Sequence, residues 1–328
     1  MEINTTAFSK NGHWYKGNLH THTNLSDGTL SPEQVIELYK KSGYSFLAIT
    51  DHNLFNAYPQ FSTGTFLLIS GTELTPGFDK EDRVLMEAME SFKNDTFSLA
   101  HASPELKQKL ETLACPHVVA ISRTDSPEAW KADITSFKTI QSMLDYARRK
   151  NCLSIVAHPA WSKLDTRELF EAEGFTALEV YNHASSPWED SSVYWNSLLG
   201  QGKKVFADAS DDMHDMEFAC GGYIMLKAES LSYHTVIDAL ENGEYYSSTG
   251  PEIVDFQIMN NKAYVKCSGV KQIRFIPDTI FGHSYMAKEG SLQTECEHKL
   301  LGNESFLRIE VMDLYGKKAW SNPVFLDR

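Results

Sequence analysis

The sequence predicts an α/β fold: a TIM-like β/α barrel over residues 1–250, followed by a small antiparallel, sandwich-like β domain over 251–328. Three observations predict it. As far as Gly250, short apolar runs alternate with longer amphipathic stretches. Such repeated strand–helix–strand units imply a parallel sheet, and seven or eight of them a closed barrel. Several of the apolar runs end on His, Asp or Glu, the position where barrel enzymes keep their chemistry. Beyond Pro251 no convincing helix remains, and short strand-like segments are separated by turn residues.

In chain order the strand-like runs are Gly17–His20, Phe46–Thr50, Phe66–Gly71, His117–Ile121, Leu153–Ala157, Thr176–Val180, Lys204–Ala207 and Tyr223–Leu226. Between them, Ser31–Ser42 reads as a helix: Ser31, Pro32 and Glu33 mark its start, and Val35, Ile36, Leu38 and Tyr39 form an apolar stripe. Phe137–Lys150 and Ser191–Leu199 are further helix-like segments. The polar stretch Gly77–Ala114, with helix-like pieces at Lys80–Lys93 and Glu105–Leu113, reads as an insertion between two barrel strands. Ile253–Met259, Lys262–Cys267, Lys271–Ile276 and Ser305–Met312 supply the C-terminal β domain, with turns such as Asn260–Asn261 and Tyr315–Gly316 between them.

Charge and cysteine usage exclude several function classes. The chain has 30 Lys and Arg against 44 Asp and Glu, a net charge of −14. A surface that acidic is a poor match for a nucleic acid polymer or an anionic membrane. Its five cysteines, Cys115, Cys152, Cys220, Cys267 and Cys296, are odd in number and form no C-x-x-C pair. That argues against a disulfide scaffold or zinc ribbon and fits a reducing compartment. The first residues lack the basic and apolar regions of a signal peptide, and no apolar run is long enough to span a membrane, so the expected location is cytoplasmic. Twelve histidines are many for 328 residues and become the main clue.

His20 and His22 stand two apart at a strand end, where the side-chain period of two puts both imidazoles on one face. Two converging imidazoles make half of a metal site. Ser26-Asp27-Gly28 adds a carboxylate in a turn. Asp51 and His52 follow the run Leu47-Ala48-Ile49-Thr50; Asp51 orients a ligand, serves as one, or caps the next helix. Glu73 emerges from Leu68-Ile69-Ser70-Gly71-Thr72, His158 from Ile155-Val156-Ala157, and Asp208, Asp211, Asp212 and His214 from Val205-Phe206-Ala207. Any one of these is unremarkable as a polar residue beside a strand, but five strand ends with the same pattern point to divalent metals clustered at a barrel mouth. Imidazoles and carboxylates without thiolates suit zinc, manganese or iron(II), and so many ligands imply two or three ions. Clustered metals favour hydrolysis.

These motifs resemble the PHP (polymerase and histidinol phosphatase) family of metal-dependent hydrolases. The resemblance is carried by Gly17–Thr23 through Ser26-Asp27-Gly28, Phe46–Asn53, Gly71-Thr72-Glu73, His117–Ala120, Ala157-His158-Pro159 and Asp212-Met213-His214, in family order over about residues 17–226. It implies a distorted seven-stranded β/α barrel with two or three metal ions. In that pattern His20 and His22 bind one metal with Asp212 close by, and Asp27, His52 and His214 surround a second. Glu73 bridges, and His117 with His158 completes a third. The insertion leaves His101 as a competitor of His117, which is preferred because it begins the apolar run Val118-Val119-Ala120-Ile121. More narrowly, Tyr245–Pro251 and Ala319–Pro323 resemble the branch of carbaryl-hydrolase-like proteins, which carries a C-terminal β domain.

The leading expectation is therefore a phosphoesterase acting on a small phosphomonoester or phosphodiester through a metal-bound hydroxide, with Asp51 and Asp211 as the catalytic acid or orienting groups. Arg123, Lys163 and His183, near strand ends, are the candidate phosphate contacts. Trp161 either walls the pocket or belongs to the core. Alternatives are an amide, ester or carbamate hydrolase with the same metals, a non-catalytic metal-stabilised binding module, and, as a fold, a binuclear amidohydrolase barrel.

Overall fold

The computed structural model describes residues 4–8, 11–76, 103–107, 115–125 and 127–326. Most of the expected insertion, including His101, lies outside the described residues. The N-terminal part has a mixed α/β order: β1 (Thr5–Thr6), β2 (His13–Asn18), α1 (Pro32–Lys41), β3 (Phe46–Ile49), β4 (Leu54–Phe55), β5 (Leu67–Leu74), β6 (His117–Ser122), β7 (Trp130–Lys131), α2 (Ile140–Arg149), β8 (Cys152–Ala157), α3 (Thr166–Glu171), β9 (Ala177–Asn182), α4 (Ser192–Gly200), β10 (Phe206–Ser210), β11 (Tyr223–Ala228), α5 (Tyr233–Asn242) and β12 (Tyr245–Ser248). Strands follow without a described helix thereafter: β13 (Ile253–Met259), β14 (Lys262–Val270), β15 (Gln272–Pro277), β16 (His283–Met286), β17 (Gln293–Lys299), β18 (Phe306–Met312), β19 (Lys318–Ser321) and β20 (Val324–Phe325).

Local chemistry sets the helix starts. Ser31 caps α1 in a reciprocal box with Gln34, and Pro32 follows in the first turn. Thr139 and Ser142 do the same for α2, so this helix begins three residues later than the Phe137 expected. None of the described helices is long and apolar enough to cross a membrane.

One large sheet runs in the order β10-β9-β8-β6-β5-β3-β2-β11-β12-β19-β18-β15-β16. The pairs β2–β3, β3–β5, β8–β9 and β9–β10 are parallel. Two of the expected parallel strands are not: β6 is antiparallel to both β5 and β8, and β11 is antiparallel to β2 and β12. The sheet curls. Phe46 and Ala48 of β3, Val119 and Ile121 of β6, Leu153 and Ile155 of β8 and Ile224 of β11 share one buried cluster with Val236, Ile237 and Leu240 of α5. Beyond β10 the chain meets the chain beyond β2, through Asp212 N–H to the His20 carbonyl (3.0 Å) and His22 N–H to the Met213 carbonyl (2.9 Å). Helix α5 closes the opposite end, where the Tyr233 hydroxyl donates to the Ser122 carbonyl.

The C-terminal strands form two facing layers, β1-β13-β14-β17 and the β19-β18-β15-β16 end of the large sheet, around Phe256, Val265, Ile273, Phe275, Ile309 and Val311. The two parts of the chain are joined by more than a linker: β12 pairs with β19, and β1 pairs with β13. Arg308 of β18 is fully buried, with its guanidinium 4.4 Å from the Trp195 ring of α4 and a hydrogen bond to Asn196.

Candidate metal centre

Strand ends bring the ligating residues together. After β2, the Asn18 side chain accepts from the His20 N–H (2.9 Å) and keeps the chain extended, so His20 and His22 project to the same side. His52, just beyond β3, bridges to Glu73 of β5. His117 opens β6, opposite Ala157, the last residue of β8; because β6 is reversed, its first residue reaches the rim that its neighbours reach with their last. His158 and Asp212 leave β8 and β10 with φ of 26° and 52°. Left-handed backbone at non-glycine residues is strained and collects at functional sites, and here it turns both side chains inward.

Four donor atoms converge most tightly. His20 Nε2 and His22 Nε2 are 3.1 Å apart, each is 3.1 Å from Asp212 Oδ1, and each is 3.3 Å from Glu73 Oε2. Zinc-like bonds of about 2.0–2.1 Å arranged tetrahedrally give donor separations of roughly 3.3 Å. Glu73 Oε2 and Asp212 Oδ1 are buried with no hydrogen-bond partner. Two orphaned carboxylate oxygens facing two imidazoles are costly unless a cation sits between them. The donor set fits a divalent metal.

Two further groups adjoin it. Asp27 lies 3.3 Å from His52 Nε2 and 3.4 Å from His214 Nε2, with the His22 and His214 rings stacked at 4.2 Å. Glu73 faces His52 Nδ1 at 3.0 Å through Oε2, and His117 Nδ1 at 2.8 Å and His158 Nε2 at 3.1 Å through Oε1. Glu73 thus belongs to more than one group. His22, Asp27, His52 and His214 form one possible ion-holding set, His20, His22, Glu73 and Asp212 another, and His52, Glu73 and His117 a third. Without metal, protons take the cations' place. Burial opposes charge on His52, yet Glu73 and Asp27 raise its pKa to about 10; burial likewise opposes charge on His214, which Asp27 and Asp212 raise to about 9. Against burial, His214 and His52 hold Asp27, and His20 and His22 hold Asp212, well below the usual carboxylate range.

Five other predicted residues stand elsewhere. Asp51 is a buried brace, accepting from Thr23 N–H (2.8 Å), the Thr23 hydroxyl (2.8 Å) and the Ser26 hydroxyl (2.8 Å). Asp211 accepts from the Tyr39 hydroxyl (2.6 Å) and the N–H groups of Cys220, Gly221 and Gly222. Held by the loops they brace, neither carboxylate lines the metal cavity, a placement that suits the orienting half of their expected role and not contact with substrate. Arg123 follows the far end of reversed β6 and binds Glu241 (2.6 Å) and the Cys152 carbonyl (2.6 Å), so it is no phosphate contact. Lys163 rests its ammonium 4.1 Å from the Trp188 ring, and His183 Nδ1 is 3.1 Å from the Tyr181 hydroxyl; neither lines the cavity.

Sequence reasoning missed Glu179. Buried in β9, it accepts from His20 Nδ1 (2.6 Å), His158 N–H (2.8 Å), Asn182 (2.8 Å) and the Ser210 hydroxyl (2.6 Å). A carboxylate on Nδ1 fixes the tautomer that leaves Nε2 free for a metal. Its only signal was a lone acid inside the apolar run Ala177-Leu178-Glu179-Val180. Also missed were Ala184, Ser185 and Phe218, which with Trp161 line the cavity of about 300 Å³ above the ligands.

No curated protein matches the chain. Among solved structures, a two-domain protein of Bacteroides vulgatus containing a predicted PHP-like metal-dependent phosphoesterase is 13% identical, with 94% of each chain covered and a TM-score of 0.48. An amidohydrolase of Chromobacterium violaceum, with bound sulfate and no metal, is 13% identical over 61% of this chain and 88% of its own, at a TM-score of 0.34. Residues 18–116 fit the model of the PHP domain, a stretch that holds His20, His22, Asp27, His52 and Glu73 and ends just before His117.

Proposed function

We propose that this chain is a metal-dependent hydrolase, a phosphoesterase acting on a small phosphomonoester or phosphodiester. The observation that carries the reading is Glu73: buried, with Oε2 facing His20, His22 and His52, it is shared between adjacent groups of metal-binding side chains. Adjacent cations suit an anion with several oxygens, which one ion alone would not saturate. His20, His22, Glu73 and Asp212 would hold one ion, Asp27, His52 and His214 a second, and Glu73, His117 and His158 a third; manganese, iron or zinc fits these donors. Such ions, when bound, supply Lewis acidity and charge for the phosphoryl oxygens. The chain's own groups orient them: Glu179 holds His20, Ser162 holds His158 Nδ1 (2.9 Å), and Thr75 sits 2.7 Å from His52 Nδ1. The curled sheet from β2 to β10 is then the family's distorted seven-stranded barrel. For the narrower carbaryl-hydrolase-like branch, the two segments that resemble it lie side by side, Tyr246 pairing with Ser321 and Ser247 with Trp320. The expected partner is a small phosphate ester, with no nucleic acid polymer and no membrane, in the cytoplasm.

The test is release of inorganic phosphate from a panel of small phosphate esters by chain reloaded with manganese, iron or zinc. His52→Ala should lower metal content and turnover together. Hydrolysis confined to aryl carbamates or carboxyl esters would replace the scissile bond. Full metal loading with no turnover across both panels would favour a binding module.

A further inference from the structure

Beside the ligands, the cavity wall comes from loops after three consecutive strands: Trp161 after β8, Ala184 and Ser185 after β9, and Phe218 after β10. Trp161 is 41% exposed, although its ring is packed edge-on against His158 (4.9 Å) and lies 5.9 Å from His117. An indole held in place by two ligand histidines, with much of its surface uncovered over a cavity, is a preformed apolar platform. The polar groups of this wall are already engaged: the Ser185 hydroxyl donates to Asn182 (2.8 Å). Among the described residues no Lys or Arg lines the cavity. Among the described residues, positive charge there would come from metals at the ligand side.

Resting on the phosphoesterase reading, we propose that the site selects phosphate esters whose alcohol part is a flat apolar group without a second anionic group, and that Trp161 and Phe218 form the selecting surface. The phosphoryl group lies toward Glu73 and Asp212, and the alcohol part against the indole. A second phosphate or carboxylate on the alcohol would meet apolar rings and an oriented serine, with its charge unanswered.

The test compares benzyl with ethyl, two alcohols of similar leaving ability, in metal-loaded full-length protein. Calorimetry gives Kd for benzylphosphonate and ethylphosphonate, which are not hydrolysed, and kinetics gives kcat/KM for benzyl phosphate, ethyl phosphate and propane-1,3-diyl bisphosphate. Benzyl should be favoured about tenfold or more in both measurements, and the bisphosphate should be the poorest substrate. Trp161→Ala should reduce the benzyl preference to about threefold or less, and Trp161→Phe should restore most of it. Phe218→Ala supplies a second reading if Trp161→Ala folds poorly. A benzyl-to-ethyl ratio near one in the unaltered protein, a ratio unmoved by either alanine variant, or a preference for the bisphosphate overturns the proposal. If neither phosphonate binds and no ester is hydrolysed, the phosphoesterase reading itself falls.

Discussion

Glu179 illustrates why a metal site extends beyond its donors. Its four hydrogen bonds fix His20 Nδ1 and the His158 backbone together. Glu179→Gln keeps the volume but places an amide against groups that all donate, so metal affinity should fall about 10–100-fold, read by competition with a chromophoric chelator. Acidity gives a second expectation. In the metal-free protein His52 and His214 titrate at about 10 and about 9, above the roughly 6.5 of an unfolded imidazole, so their stabilisation is complete below pH ~6.5 and lost as pH rises through those values. Asp27 and Asp212, held low, contribute stability above pH ~4 that fades as pH falls further. Melting of chelator-treated protein should therefore peak between about pH 4 and 6.5, and metal binding should release protons and strengthen toward alkaline pH. An apo melting temperature that climbs from pH 7 to 9 would contradict this. Most of the candidate ligands were readable because an apolar run stops beside them or, at His117, starts there, a pattern that local sequence displays. Arg123 was misread because proximity to a strand end says nothing about which end of the molecule that is.

At the level of elements, the loop Cys220–Gly222 is fastened by one side chain. Asp211 takes three of its N–H groups and the hydroxyl of Tyr39 from α1, and a Cβ on Gly222 would stand 2.6 Å from the Ser210 carbonyl oxygen. Burial raises the pKa of Asp211, while those N–H groups and Tyr39 lower it. Asp211→Ala leaves four donors unpaired and should cost about 3 kcal/mol or more in urea unfolding of the metal-free protein. A loss below 1 kcal/mol would mean that water replaces the carboxylate. The caps of α1 and the strand cores of β3, β5 and β8 were readable, since Ser-Pro-Glu and apolar runs act locally. Strand direction was not. Direction is settled by which neighbours a strand finds, and nothing within His117–Ser122 encodes that β6 runs against β5 and β8.

For the whole molecule, the sheet that curls around the interior cluster continues through β12 and β19 into the C-terminal layers. A cut at Gly250 would leave β12 with an unpaired edge and uncover the apolar faces that meet there. The change of texture after Pro251 marked a change in architecture, while the shared sheet, which depends on contacts 70 residues or so apart in sequence, left no local trace. The reversal of β6 has the widest reach. Leu74 pairs with Val118, so the chain departs β5 and re-enters at β6 from neighbouring points on the metal rim. With the two strand ends already paired, loop-closure entropy changes by only about 0.6 kcal/mol per doubling of the connection's length. Replacing residues 78–113 with a short Gly-Ser linker should leave metal stoichiometry intact by elemental analysis. The candidate metal ligands on either side of this connection, Glu73 and His117, are thus held by strand pairing rather than by the chain that links them.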